Sequence, residues 1–197
     1  MTTAADAWQT RYDTADTPWD LGAPAPALLA WLPARPGAGS RAIVPGCGRG
    51  HDAIALARAG WDVVAVDFAA AAAEQTRELA AAAGHPIAVL QADLFALTPA
   101  MVGSFDLWVE HTCFCAIEPA DRGRYAAQAA SLVKPGGQLV GVFYAHGKPG
   151  GPPHDTRPEA VRAFFSGAFT VEALAVTPHS VERRAGQELW AELTRKA

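Results

Sequence analysis

The sequence predicts an α/β protein built on a Rossmann-like, doubly wound sheet of about seven strands, mostly parallel with an antiparallel edge, beneath an N-terminal helical cover. Three observations carry this. From residue 41 onward, short β-branched runs alternate with longer helical stretches, the pattern of a parallel sheet clothed by helices on both faces. The first of these runs empties into a glycine-dense turn that opens a helix. Near the end, two alternating runs are joined by a polar connection, which reads as an antiparallel addition at one edge.

In chain order, Arg41 to Pro45 is the first strand, and Asp52 to Ala59, closed by Gly60, is its helix. Asp62 to Asp67 is the second strand, leading to an alanine-rich helix over Ala70 to Ala83 that stops at Gly84 before Pro86. Ile87 to Gln91 and Phe105 to Glu110 are the third and fourth strands. Pro119 to Leu132 is the next helix, ended by Lys134-Pro135-Gly136-Gly137, and Gln138 to Tyr144 is strand five. The Gly/Pro-rich loop His146 to His154 is too long and rigid in composition for an idle connection and should border the site. A short helix over Arg157 to Phe165 precedes the closing strands, Phe169 to Thr177 and Glu188 to Leu193.

Residues 1–40 stand apart, with short helices expected over Ala5 to Tyr12 and Pro26 to Leu32. Trp8, Tyr12, Trp19 and Trp31 are too many large aromatics for a solvated tail, so this stretch is expected to cover the site. With 197 residues the chain fits a single domain, 1–197, with a core large enough to need neither disulfide nor metal.

A formal net charge of −4 without a basic stripe argues against nucleic acid or an anionic membrane as partner. Apolar runs such as Val63 to Ala73 are broken too soon to cross a bilayer. No basic and apolar blocks open the chain, so a cytoplasmic protein is expected, and nothing demands more than a monomer. Cys47, Cys113 and Cys115 are odd in number and lack C-x-x-C spacing, which favours free thiols over a disulfide framework and gives no metal site. Cys113 and Cys115 are expected on one face of a strand, packing as small apolar residues more than attacking substrate.

The turn reads G-x-G-x-G through Gly46, Gly48 and Gly50, with Asp67 at the tip of strand two where a ribose would meet an acid. The third glycine falls too early for the G-x-G-x-x-G dinucleotide fingerprint. The spacing better suits S-adenosylmethionine, its amino-acid tail by the turn and its ribose at Asp67. A nicotinamide-dependent oxidoreductase with the same turn, and a module that holds the cofactor without transferring its methyl, are the alternatives.

Asp93, after strand three, is placed either to accept from the adenine amino group, with Leu94 covering the base, or to cap the segment that follows. Glu110-His111-Thr112-Cys113-Phe114-Cys115 ends strand four at the carboxyl edge of the sheet, where such folds bind ligands. His111 is the candidate base for a substrate thiol, or a histidine that only bonds a neighbouring loop. Trp8 and Trp19 offer aromatic faces to a sulfonium, a cation-π attraction of about 0.5–2 kcal/mol each, or pack as core.

Trp8 with Tyr12, Thr17-Pro18-Trp19-Asp20-Leu21-Gly22, Val44-Pro45-Gly46-Cys47-Gly48-Arg49-Gly50-His51-Asp52 and Phe114-Cys115-Ala116-Ile117-Glu118-Pro119 together closely resemble the thiopurine S-methyltransferase family. Within it they are most similar to the halide/thiol (thiocyanate) methyltransferase branch. Leu132 to Gly137, Gly150 to Pro153 and Pro178-His179 extend the match over most of the chain. The resemblance implies that Trp8, Trp19, Gly46, Asp67, Asp93, Leu94 and Glu110 contact S-adenosylmethionine, that Tyr12 replaces a second tryptophan of the wall, and that Tyr144 lines the acceptor pocket. His111 stands where the plant enzymes have tyrosine and Cys113 where they have phenylalanine, departures that bear on the acceptor more than on the cofactor. The expected activity is methyl transfer from S-adenosylmethionine to a small soft nucleophile, a thiol, thiocyanate or halide, with thiopurine-type or metalloid acceptors open and S-adenosylhomocysteine as product.

Overall fold

The structure, a computed structural model, describes residues 4–197. The first three residues of the expected cover lie outside the described residues. Seven strands form one sheet in the order β3-β2-β1-β4-β5-β7-β6. They are β1 (Arg41–Pro45), β2 (Asp62–Asp67), β3 (Ala88–Gln91), β4 (Phe105–His111), β5 (Val133–Tyr144), β6 (Phe169–Val176) and β7 (Glu188–Arg195). The first five run parallel, and β7 lies antiparallel between β5 and β6.

Alternation along the strands divides the core into two layers. Ile43, Val64, Val66, Trp108 and Phe143 point to one face, where α5 (Arg122–Leu132) and α6 (Pro158–Phe165) bring Tyr125, Leu132, Val161 and Phe165. Ala42, Val44, Val63, Leu107 and Val142 point to the other, against α2 (Pro26–Trp31) and α3 (His51–Arg58), which contribute Leu28, Trp31 and Leu56.

Helix α4 (Ala70–Ala82) buries Ala72, Thr76 and Ala80 one helical turn apart. These small side chains let it approach the glycine turn, where Thr76 Oγ1 donates to Gly48 O at 2.7 Å. Helix α1 (Ala4–Asp13) packs on α4, and Gln9 Oε1 accepts from Ala71 N at its first turn.

Three expectations are corrected in detail. Strand β5 begins at Val133, because Val133 pairs with Phe105 across a register shift and draws the Lys-Pro-Gly-Gly segment into the sheet. Strand β4 runs one residue further than expected, to His111. Cys113 and Cys115 therefore lie in the bend beyond it and share no strand face: Cys113 packs on Gly46, while Cys115 Sγ bonds Thr112 O.

Candidate active site

After β3 the chain crosses back over the sheet to β4, so β1 and β4 are neighbours whose connections leave in opposite directions. Open α/β sheets bind ligands beyond the carboxyl ends of strands at such a switch point. Here the end of β1 faces the bend after β4. Gly46 has φ +55°, and a Cβ at that position would meet Cys113 Sγ at 2.6 Å, so only glycine fits. At Gly48, φ +56°, a Cβ would crowd Tyr12 Oη at 3.2 Å. The turn is thus bare backbone, with Tyr12 beside it.

Asp67 ends β2 next to this turn. Its Oδ2 accepts from Gly48 N and its Oδ1 from Ala69 N, both at 3.0 Å. Burial pushes its pKa up to about 6 against those backbone donors. A carboxylate has about four lone-pair sites, so two remain for a diol. Asp93 caps the 3-10 turn Leu94–Ala96 through Phe95 N at 2.9 Å, the second of its two expected readings. It lies two residues beyond Gln91, which pairs with Asp67, and remains exposed. Leu94 is turned into the core.

Two cavities open over the switch point. The smaller, about 60 Å³, is lined by Tyr12, Asp20, Gly48, Arg49, Asp52 and His111 among others. The larger, about 300 Å³, is bordered by Trp8, Tyr144, Pro152, Pro153 and three arginines, Arg11, Arg183 and Arg184. Trp19 and Thr112 line both, so the cavities are neighbours that share these two residues as a wall. The Gly/Pro loop borders the site through Pro152 and Pro153, as its composition suggests.

The aromatics form one cluster, with Trp19 edge-on to Trp8 at 5.0 Å and to Tyr12 at 5.8 Å. Arg11 already lies over Trp19, 4.5 Å from its ring centre. Burial, with Asp67 nearby, raises the Tyr12 pKa, so it stays a neutral phenol. Tyr144 donates to Gln187 Oε1 at 3.3 Å, and Arg184 lies over its ring.

Glu110 departs from the expected cofactor contact. Its side chain is 1% exposed, accepts from Phe114 N at 2.9 Å and from Tyr125 Oη, and lines neither cavity. Burial pushes it up to about 7 despite both hydrogen bonds. The thiols are inert for the same reason. Burial holds Cys47 and Cys115 up at about 12 and Cys113 well above the ordinary thiol range, so none is a thiolate nucleophile near neutral pH.

His111 faces the smaller cavity, and its Nδ1 lies 2.6 Å from Asp52 Oδ2. Burial opposes its charged form, but the charge and hydrogen bond of Asp52 outweigh that and raise its pKa. Asp52 is lowered correspondingly: burial raises it, and His111 with Ala25 N–H more than reverses that. Asp52 carries no signal in the sequence beyond its place in the turn motif. Arg184 has still less: it sits in the polar connection before β7, yet is 6% exposed, pairs with Glu188 at 3.2 Å and donates to Trp19 O at 2.9 Å.

Residues 3–195 match the family model described as thiopurine S-methyltransferase. The chain belongs to this family. It is 34% identical to the probable thiol methyltransferase 2 of Arabidopsis thaliana over 151 residues, an alignment covering 75% of this chain and 66% of that protein, just under two thirds. It is 31% identical to thiocyanate methyltransferase 1 of the same plant over 188 residues, covering 92% of this chain and 81% of the relative. The fold matches a Burkholderia thailandensis 1,6-didemethyltoxoflavin-N1-methyltransferase solved with its substrate and S-adenosylhomocysteine, at a TM-score of 0.78 and 20% identity, over 98% of this chain and 87% of that one.

As a thiopurine S-methyltransferase family member the chain is a methyltransferase, and the family's methyl donor is S-adenosylmethionine. This class displaces the oxidoreductase alternative. The residues present fit the donor: Gly48 brings bare backbone to the smaller cavity, and Asp67, which itself lines neither cavity, is bonded to Gly48 N and keeps acceptor capacity beside it. No helix among the described residues is long and apolar enough to cross a membrane.

Proposed function

We propose that the chain methylates a small sulfur or halide acceptor held in the larger cavity, beside a cofactor seated against the glycine turn. The observation that carries this is the adjacency of the two cavities, which share Trp19 and Thr112 as a wall. When bound, S-adenosylmethionine supplies a cationic sulfonium whose methyl passes to the acceptor, leaving S-adenosylhomocysteine.

The chain's own residues do the rest. Asp67 accepts from the ribose hydroxyls, Asp93 uses its remaining acceptor capacity on adenine, and Leu94 supports the base from below. Gly46 and Gly48 let the tail approach the backbone, Trp8, Tyr12 and Trp19 exclude water around the sulfonium, and any contact from Glu110 comes through its backbone. Alignment in a water-poor pocket supplies most of the acceleration, since the transfer is an in-line displacement. Tyr144 bounds the acceptor. Of the three arginines that line the larger cavity, Arg184 is paired with Glu188 and Arg11 with Asp16, while Arg183 makes no ion pair among the described residues, and this one uncompensated cation favours an anionic acceptor: thiolate, thiocyanate or iodide.

Residues 1–40 act as the cover of one catalytic domain spanning 1–197, and a single copy suffices for this chemistry. The free thiols Cys47, Cys113 and Cys115 support placing the protein in the cytoplasm.

The test is S-adenosylhomocysteine release across a panel of thiols, thiocyanate, iodide, a thiopurine and metalloid anions, with calorimetry for the cofactor. Turnover of at least one thiol, thiocyanate or iodide is expected, and Trp19→Leu should weaken S-adenosylmethionine binding about fivefold or more. Binding of neither S-adenosylmethionine nor S-adenosylhomocysteine would overturn the reading. Full occupancy without turnover on any acceptor would reduce the protein to a cofactor-holding module.

A further inference from the structure

Asp52 is a 9% exposed carboxylate on the first turn of α3, and both of its oxygens are committed to other parts of the chain. Oδ1 accepts from Ala25 N at 2.7 Å, in the N-terminal segment, and Oδ2 meets His111 Nδ1 at 2.6 Å, at the end of β4. An imidazole has two distinct nitrogens, and the bond made by one decides the state of the other. With Nδ1–H given to Asp52, Nε2 carries the free lone pair. It makes no hydrogen bond among the described residues, is not among the buried polar atoms lacking a partner, and belongs to a side chain that lines the smaller cavity. Thr112, the next residue, borders both cavities.

We propose that Asp52 is a positioning residue that holds His111 with Nε2 free at the smaller cavity, beside the Thr112 wall shared with the larger, so that Nε2 takes the proton of a neutral thiol acceptor whose sulfur reaches that shared edge as it is methylated. This rests on the methyltransferase reading above and extends it to acceptors that arrive un-ionised. The S–H bond breaks, its electron pair remains on the acceptor sulfur and forms the new S–CH₃ bond, the sulfonium–methyl bond of the donor breaks with its pair left on the sulfur of S-adenosylhomocysteine, and the proton passes to Nε2. The imidazolium so formed stays paired with Asp52 and later releases its proton to water. Because Ala25 N–H holds the other oxygen of the same carboxylate, closure of the N-terminal segment fixes the pair in place.

The charged groups facing His111 are Asp52 on α3, Glu188 on β7, Arg184 before β7 and Glu110 on β4. Asp52 and Glu188 favour the imidazolium, while burial and Arg184 oppose it. The net rise means that His111 must first lose its proton. Thiol methylation should therefore switch on as pH rises through the His111 pKa, whereas thiocyanate, which carries no proton, should be indifferent to it.

Two measurements test this. In the free protein, nitrogen-15 shifts of His111 should report the Nδ1–H tautomer above its pKa, and Asp52→Asn should lower that pKa. In single-turnover assays, Asp52→Asn should slow a neutral thiol about a hundredfold or more relative to thiocyanate, the lower end of the range for general-base catalysis, and the wild-type thiol rate should titrate with the pKa measured for His111. Equal losses on both acceptors, an Nε2–H tautomer, or a thiol rate that follows the thiol's own ionisation would each overturn the proposal. Failure of the wild-type protein on thiocyanate, iodide and thiols alike would instead sink the methyltransferase reading. Should Asp52→Asn not fold, the wild-type tautomer and pH profiles decide alone.

Discussion

Asp20, two residues after the proline of the Thr-Pro-Trp-Asp string, forms an ion pair with Arg49 of the glycine turn. The same carboxylate lies 3.5 Å from His51 Nε2 and accepts from Gly22 N at 2.8 Å. Side-chain exposures of 13% for Asp20 and 29% for Arg49 remove the pair from most screening, and it ties the N-terminal segment directly to the glycine turn. Asp20→Asn should lose about 1 kcal/mol of this tie, the upper end for partly exposed pairs, and weaken S-adenosylhomocysteine binding roughly fivefold by calorimetry, mostly through faster dissociation.

The ribose contact proposed for Asp67 gives cofactor binding its own pH dependence. Ribose hydroxyls would donate to the ionised carboxylate, and burial pushes its pKa up to about 6. Protons compete with the ligand, so affinity should be full above that value and fall as pH drops through it. Calorimetry from pH 5 to 7.5 should show this for the wild type and a flatter profile for Asp67→Asn. That variant should bind at least tenfold more weakly at pH 7.5, since hydrogen bonds to charged groups contribute about 1.5–3 kcal/mol each.

Glu110 predicts a stability effect of opposite slope to the usual carboxylate. Its folded pKa, up at about 7, exceeds the ordinary value of 4.5. The folded state then binds the proton more tightly than the unfolded chain. Its contribution is fully present below about 4.5 and is lost as pH rises through about 7. Glu110→Gln, which keeps the shape and an acceptor for Phe114 N, should gain stability relative to wild type between pH 5 and pH 8 in urea titrations.

Thr112 has φ +61°, a left-handed conformation that a β-branched residue adopts only under constraint. Relief of about 1–2 kcal/mol of strain, offset by about 0.5–1 kcal/mol of glycine's extra unfolded-state entropy, should make Thr112→Gly about 0.5–1 kcal/mol more stable in urea. Activity should fall in the same variant, because Thr112 is wall to both cavities.

The strands, the turn and the placing of Asp67 are legible because each depends on local pattern: β-branched runs, glycines without room for a Cβ, and an acid at a strand tip. Trp8, Trp19 and Tyr144 all reach the larger cavity, and Trp19 the smaller as well. What escapes sequence reasoning depends on pairing across the fold. The bond from Arg184 to Trp19 O joins the two ends of the chain and exists only because β7 turns back beside β5. Asp52 meets His111 only because β1 and β4 are neighbours. Glu110 sits at the expected strand end but, counted in alternation, belongs to the Tyr125 side, so its carboxyl is spent inside the core.

Trp19, finally, roofs both chambers at once, and its segment is fastened through Asp20, Ala25 and its own carbonyl. One roof over two rooms means that neither occupant should be exchanged independently. Both products then wait for the same opening, so a rapid-quench experiment should show a first-turnover burst followed by a slower steady rate shared by good acceptors of different reactivity. What distinguishes those acceptors in the cell would then be how fast each is captured, not how fast the enzyme cycles.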